Sequence, residues 1–243
     1  MSTITLCCEF KDEYPNVRAV FNTFSDIVDE INVLDTGSTD GTQELCKKLG
    51  AKVFQAYIPS PYWSDKGYEN GVMGYGEMRT LHINLVKTDW AFIFDGDERM
   101  LKQDVFKLKK LADEKMDYDC IALPRQNYRS WDMSICENPD ISKYADWQFR
   151  FVKAFPHYKV HWVRKVHEQL RGVDKIYQDL TNPVIRHFGF LKTEERKKMV
   201  VDVCNALWKV DEKNRESYKL ENKVGCASGE KYWEAMPKFH ENE

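Results

Sequence analysis

Four strand-sized runs, at residues 4–10, 31–34, 52–56 and 90–94, are separated by stretches of helical periodicity, and this order constrains the fold more than any other feature. Short apolar runs of this kind read as strands of a buried sheet. After the first run, Val17, Val20, Phe21 and Phe24 recur at i, i+3, i+4 and i+7, which places them on one helical face. After the second, Asp40 is positioned to cap a helix, with Gln43 at the capping-box spacing. That helix carries Leu45 and Leu49 and stops at Gly50, a natural C′ residue. Residues 57–76, rich in glycine and aromatics, read as a loop, and Met78, Leu81, Leu85 and Val86 mark a further helix. The order β-α-β-α-β-loop-α-β predicts an α/β fold with a mainly parallel central sheet flanked by helices. Ligands of such sheets bind beyond the carboxyl ends of the strands.

Two acid-rich loops fall at such ends. The loop after the fourth run is Asp95-Gly96-Asp97-Glu98. Two carboxylates one residue apart can converge on a hard cation, and Mg²⁺ or Mn²⁺ held by carboxylates commonly also binds substrate phosphates. Gly96 between them allows close backbone approach to a ligand. The loop after the second run is Asp35-Thr36-Gly37-Ser38-Thr39-Asp40-Gly41. It fails the calcium-loop pattern, because Gly37, Asp40 and Cys46 stand where that pattern needs an acid, a glycine and a glutamate. A carboxylate at this strand-to-helix junction suits hydrogen bonds to a base or ribose. Gly71, Gly74 and Gly76 are in the wrong order for a dinucleotide fingerprint, and the chain has no P-loop, no Gly-x-Ser-x-Gly elbow and no His-Glu-x-x-His.

Composition removes other classes. The 243 residues carry 36 basic and 39 acidic side chains, a net charge of −3, and 42% are hydrophobic, enough for a sizeable core. A general nucleic-acid coat would be basic, so no nucleic-acid partner is expected. No run approaches the ~18 apolar residues of a membrane span, and the first residues lack a signal-peptide pattern. Seven cysteines, an odd number without a Cys-x-x-Cys pair, read as free thiols of a reducing cytoplasm. In the second half, residues 102–115 read as a helix and 120–124, 148–152, 158–162 and 184–188 as strands. From 193 onward Met199, Val203, Leu207 and Val210 share a helical face. Lys192, Arg196, Lys197 and Lys198 form a basic cluster, which ordinarily is a solvated face.

The segments 31–42 and 89–98, with residues 4–13 and Arg79, resemble the family 2 glycosyltransferases of GT-A fold. Arg150-Phe151, Val166-His167-Glu168 and His187-Phe188-Gly189 are similar to a subgroup that includes lipopolysaccharide-core glucosyltransferase-like proteins. The resemblance covers roughly residues 3–190. It implies a GT-A catalytic domain over 1–190, with 1–100 the nucleotide-sugar-binding half and 101–190 the acceptor half. A helical C-terminal extension follows at 191–243. It implies that Asp35, with Glu9 and Phe10, meets the base or ribose, that Arg79 meets the nucleotide or its phosphates, that Asp95 touches ribose or metal beside Gly96, and that Asp97 is the principal metal ligand. His187 takes the place of a late histidine that reaches the metal or diphosphate. Thr36 and Thr80 depart from the pattern, which has aspartate and asparagine there, and Arg99 adds a cation beside the acids.

The resemblance implies a metal-dependent, inverting transfer of a hexosyl group from a nucleotide-diphospho-sugar, a UDP-sugar being favoured, to a hydroxyl of a glycan or glycolipid, as in polysaccharide biosynthesis. Mn²⁺ or Mg²⁺ on Asp97 and Asp95 offsets charge on the departing diphosphate. A general base must reach the acceptor hydroxyl; Glu168 is the first choice, with Asp146 and Asp132 as rivals. Tyr128, Trp131, Trp147 and Trp162 supply flat faces for sugars or core packing. The 191–243 segment is read as packing on the domain, as a homodimer contact, or as a peripheral contact with the inner membrane face. Two alternatives stay open. A sugar-1-phosphate nucleotidyltransferase needs a Gly-x-Gly-Thr-Arg loop where this chain has Glu9 to Glu13. The other is a non-catalytic nucleotide-sugar or glycan-binding module.

Overall fold

The computed structural model describes residues 1–56, 74–154, 160–163, 168–198 and 201–202. The first strand, β1 (Ile4–Phe10), is almost wholly buried because parallel neighbours and covering side chains shield both faces. Its alternation divides the core. Leu6, Cys8 and Phe10 face Val17, Val20, Phe21 and Phe24 of α1 (Tyr14–Phe24), whereas Cys7 points to the opposite layer. The chain continues through β2 (Glu30–Asp35), α2 (Thr42–Lys48), β3 (Lys52–Gln55), α3 (Tyr75–Asn84) and β4 (Trp90–Asp95). A two-residue β5 (Glu98–Arg99) precedes α4 (Lys102–Glu114), which packs Val105 and Leu108 on the same layer as α1.

Next come β6 (Cys120–Asn127), α5 (Ile141–Tyr144), β7 (Asp146–Lys153), β8 (His161–Val163), β9 (Gln169–Arg171), β10 (Ile176–Gln178), β11 (Ile185–His187) and a 3-10 turn, Gly189–Leu191. The main sheet runs β3-β2-β1-β4-β7-β6-β11-β5, with β10 also beside β6. Pairs β3–β2, β2–β1, β1–β4 and β6–β11 are parallel; β7 is antiparallel to both β4 and β6. A small β8–β9 hairpin covers α3. The sheet is thus mainly parallel in its first half, as the strand order predicts.

Three local readings change. The helix α3 buries Met78, Arg79, His82 and Ile83 while Leu81 is exposed, because its inward face meets acids as well as apolar side chains. Gly74 and Gly76 belong to the start of α3 rather than to a loop; Gly71 and most of the 57–76 segment lie outside the described residues. Gly41, with φ of 91°, is the N-cap of α2, and Asp40 instead accepts from Thr42 N and Tyr14 N, both at 3.0 Å. Residues 194–198 and 201–202 are helical. Met199, Val203, Leu207 and Val210, with Cys204, Cys226, Val166 and His167, lie outside the described residues, and the described cysteines are free thiols.

Candidate active site

Parallel register sets Asp35 opposite Phe10 and Asp95 opposite Glu9, so β2, β1 and β4 deliver their last residues side by side at one sheet edge. Asp35 is fully buried. Its Oδ1 accepts from Gly37 N and Ser38 N, both at 2.9 Å, and from Gln43 Nε2 at 2.8 Å. Gln43 therefore braces Asp35 rather than closing a capping box. Asp35 Oδ2 is buried and has no hydrogen-bond partner among the described residues. Leaving such an atom unpaired costs about 1–3 kcal/mol, so it is an acceptor available to a ligand N–H or O–H. Lys11 Nζ, 2.7 Å from the Gly37 carbonyl, closes the loop.

Phe10 does not line this pocket. Its ring lies in the core, and only its carbonyl serves the loop, accepting from Thr36 N at 3.0 Å. Glu9, on the opposite face, is also withdrawn, with 7% of its side chain exposed beneath Arg79. Arg79 does not open onto a phosphate pocket. Its side chain is 7% exposed and pairs with Glu168 at 2.5 Å, with Glu9 at 3.6 Å and with Asp95 at 3.6 Å. Gly96 makes room for protein rather than ligand: a Cβ there would lie 2.7 Å from Glu13 Cδ. Arg99 donates to the carbonyls of Gly96 at 2.8 Å and Glu98 at 2.6 Å, which shapes the acidic turn.

The acids form two groups. Asp95 Oδ2 receives Arg150 at 2.7 Å, and Arg150 also reaches Glu98 at 2.9 Å. Arg125 stands 3.8 Å from Glu98 and 2.8 Å from Asp146, whose other oxygen accepts from Gln148 at 2.8 Å. Among the described residues, five carboxyls (Glu9, Asp95, Glu98, Asp146 and Glu168) thus share three guanidiniums (Arg79, Arg125 and Arg150). The imbalance is visible in their protonation. Burial raises Glu9 to about 8, and burial raises Glu98 as well. Burial also opposes ionisation of Asp95, but Arg150 and Arg79 overcome it and hold that carboxyl below its ordinary value.

Asp97 stands in the second group. Its Oδ2 lies 2.6 Å from Lys192 Nζ and 3.7 Å from His187 Nε2, and His187 Nδ1 is 2.8 Å from Asn127 Oδ1. Burial opposes its charge, yet His187 and Lys192 hold it well below the usual carboxylate range. A Cβ on Gly189 would fall 2.5 Å from His187 Nε2 and 3.2 Å from Asp97 Oδ2. That space between an oxygen and a nitrogen donor fits a divalent cation, and a neighbouring histidine anchored through its other nitrogen is the usual support for such a ligand. Asp95 is drawn to the arginines, so the expected trio of Asp95, Asp97 and His187 is not gathered. Among the described residues no group of three or more His, Cys, Asp or Glu forms a metal cluster.

Sequence reasoning gave no site role to Arg150, Lys192, Asn127 or Glu13. Arg150 had a signal, a charged residue inside the apolar end of a strand. Asp132 is an exposed turn residue bonded to Ser134. Trp162 is core, whereas Trp131 is 59% exposed and stacks on Phe188, which stacks in turn on Tyr128.

No family model matches the chain. It is 27% identical over 114 residues to a TPR repeat-containing protein of Synechococcus elongatus, covering 47% of this chain and 25% of that protein. It is 31% identical over 93 residues to an uncharacterized glycosyltransferase of Rickettsia conorii, covering 38% of this chain and 28% of the relative. The chain thus spans about a quarter of the length of the curated relatives it matches. Among solved structures, Staphylococcus aureus TarS aligns with a TM-score of 0.53 at 12% identity, over 83% of this chain and 39% of that one. Glucosyl-3-phosphoglycerate synthase of Mycobacterium tuberculosis, in complex with Mn²⁺, uridine diphosphate and glucosyl-3-phosphoglycerate, aligns with a TM-score of 0.52 at 15% identity, over 84% of this chain and 80% of that one. The chain has the α/β fold of the GT-A glycosyltransferases.

Proposed function

We propose that the chain is a nucleotide-sugar glycosyltransferase domain that passes a hexosyl group from a nucleoside-diphospho-sugar, a UDP-sugar being favoured, to a hydroxyl of a glycan or glycolipid. The observation that carries this reading is the pairing of two acceptor sites at the strand ends: the buried, unpartnered Asp35 Oδ2 and the Asp97–His187 pair over Gly189. The first suits a base or ribose, the second a cation on a diphosphate. Support comes from the M. tuberculosis enzyme of the same fold, captured with Mn²⁺ and uridine diphosphate, and from the similarity to Rickettsia proteins described as glycosyltransferases.

Asp97 and His187 would hold Mn²⁺ or Mg²⁺, which when bound supplies positive charge to the departing diphosphate. The chain's own residues orient the reactants. The Asp35 loop seats the nucleoside, and the Asp95–Arg150–Glu98 pairs fix the turn that presents Asp97. An attack by the acceptor hydroxyl on the anomeric carbon, opposite the leaving diphosphate, inverts that centre. Glu168 is the proposed base; among the described residues Asp146 is joined to the site through Arg125. The segment beyond 190 begins by packing on the catalytic domain, through Lys192 to Asp97 and Arg196 to the Lys11 carbonyl. No helix among the described residues is long and apolar enough to cross a membrane.

Calorimetric titration with uridine diphosphate and a sugar-nucleotide panel, with and without Mn²⁺, tests the assignment. Mn²⁺-dependent binding that disappears in Asp97→Asn is expected. Binding indifferent to both metal and Asp97 would refute it. Glu168→Gln should abolish transfer and spare donor binding; retained turnover removes Glu168 from the chemistry.

A further inference from the structure

The basic cluster at 192–198 is not a uniformly solvated face. Lys197 pairs outward with Glu194, but Lys192 and Arg196 turn inward. Lys192 follows directly on the Gly189–Leu191 turn, with a quarter of its side chain exposed, and its ammonium sits on the Asp97 oxygen that faces His187 Nε2. Four residues later Arg196 reaches the Lys11 carbonyl at 2.5 Å and stands 3.8 Å from both Asp12 and Glu13. The turn is therefore pinned at both ends: Phe188 N donates to the Asp97 carbonyl at 2.9 Å on one side, and Arg196 ties to the β1 loop on the other.

This arrangement sets a conflict. A cation bridging Asp97 and His187 would share Asp97 Oδ2 with the ammonium, and two positive charges on one partly buried oxygen repel strongly. Lysine is a point charge on a flexible stem, so it can leave without breaking a bidentate geometry. The pinned turn keeps it close when it does. The other acid whose charge acts on it is Glu13, already engaged by Asn16 at 2.6 Å. A diphosphate arriving with the metal would offer the displaced ammonium a new anionic partner.

We propose that Lys192 is an internal counter-cation of Asp97 that a metal ion must displace and that the donor's diphosphate then accepts, so that metal and nucleotide bind cooperatively. This rests on the reading of Asp97 as a metal ligand. Mn²⁺ affinity, measured by paramagnetic resonance of the free ion with and without uridine diphosphate, tests it without recourse to turnover. The native chain should bind Mn²⁺ weakly alone and about tenfold or more tightly with the nucleotide, within the usual range of coupling between sites. Lys192→Met should bind Mn²⁺ alone about tenfold more tightly than the native chain and lose most of the enhancement by nucleotide. Lys192→Arg, which keeps the charge and adds a bidentate hold, should keep Mn²⁺ binding weak. Should Lys192→Met lose its cooperative thermal transition, Lys192→Gln replaces it. Unchanged Mn²⁺ affinity in the neutral variant, with Mn²⁺–nucleotide binding lost in Asp97→Asn, overturns this inference alone. Native-like Mn²⁺–nucleotide binding in Asp97→Asn overturns the assignment of Asp97 beneath it.

Discussion

Replacing Glu9 by glutamine should stabilise the protein at neutral pH, although it removes a carboxyl 3.6 Å from an arginine. Glu9 is one of five carboxyls sharing three guanidiniums, its Oε1 has no partner among the described residues, and burial lifts it from 4.5 to about 8. The folded state then carries Glu9 protonated while the unfolded chain ionises it. The stability this group contributes is complete below pH 4.5 and is lost as pH rises toward 8. The loss is about 1.4 kcal/mol per pH unit, or about 3 kcal/mol by pH 7. Glutamine has the protonated acid's shape and never ionises. Glu9→Gln should therefore match the native chain near pH 4.5 and exceed its stability increasingly up to pH 8, by an amount on the order of 1–3 kcal/mol at pH 7. Urea unfolding of both chains at several pH values between 4.5 and 8 measures the difference, from which titrating groups distant from Glu9 cancel. A variant that is less stable at pH 7, or a difference that does not grow with pH, would show that Glu9 is ionised and holds Arg79 as a true ion pair.

Gly189→Ala should leave the fold intact and weaken Mn²⁺-dependent nucleotide binding about tenfold or more, because its methyl displaces the His187 ring; native-like binding in calorimetry would refute the cradle. Asp35→Ala removes the acceptor of three N–H groups and should cost about 1–3 kcal/mol in denaturant unfolding along with nucleotide binding. An Ala variant of native stability would show that the loop holds itself. His82 is wholly buried and pushed down to about 3, so the unfolded chain takes up its proton first and stability falls as pH drops from 6.5 toward 3, by about 1.4 kcal/mol per unit. His82→Gln should flatten that acid limb, and an unchanged slope would place the loss elsewhere.

Local periodicity made β1, α1, β2 and β4 legible, because each is buried on surfaces its own neighbours in sequence define. Val17, Val20, Phe21 and Phe24 are all buried, as their spacing requires. Periodicity marked α3 but misplaced its buried face, because what draws Arg79 inward is Glu168, 89 positions away in the chain, and the arginine's burial then turns Leu81 out. The placing of Asp35 and His187 at strand ends, and of Asp97 in the turn after β4, was legible. The site was not legible at Glu9, Phe10 and Gly96, where position at a strand end was right but the side chain's face was not. One residue of alternation separates Phe10 in the core from Glu9 beneath Arg79.

The partners of each acid explain this division. Arginine presents a planar fork that holds a carboxylate at fixed geometry and is always charged. Asp95, Glu98, Asp146 and Glu168 each have an arginine, and the first two thereby become the frame of the turn rather than its binding surface. Asp97 has a lysine, whose hold is a single mobile charge, and a histidine fixed from behind by Asn127. Among the described residues, Asp35 has only N–H donors on one oxygen and no partner on the other. The acids able to change partner are therefore Asp97 and Asp35, and they lie at the ends of strands separated by β1 alone. A ligand that engages both must span one strand while presenting hydrogen-bond donors at one end and a diphosphate with its cation at the other. A nucleoside diphosphate has that polarity, and a free sugar phosphate, lacking the base, does not. Uridine diphosphate should for that reason compete for the site far better than glucose 1-phosphate in a displacement titration, and equal competition would sever Asp35 from donor recognition.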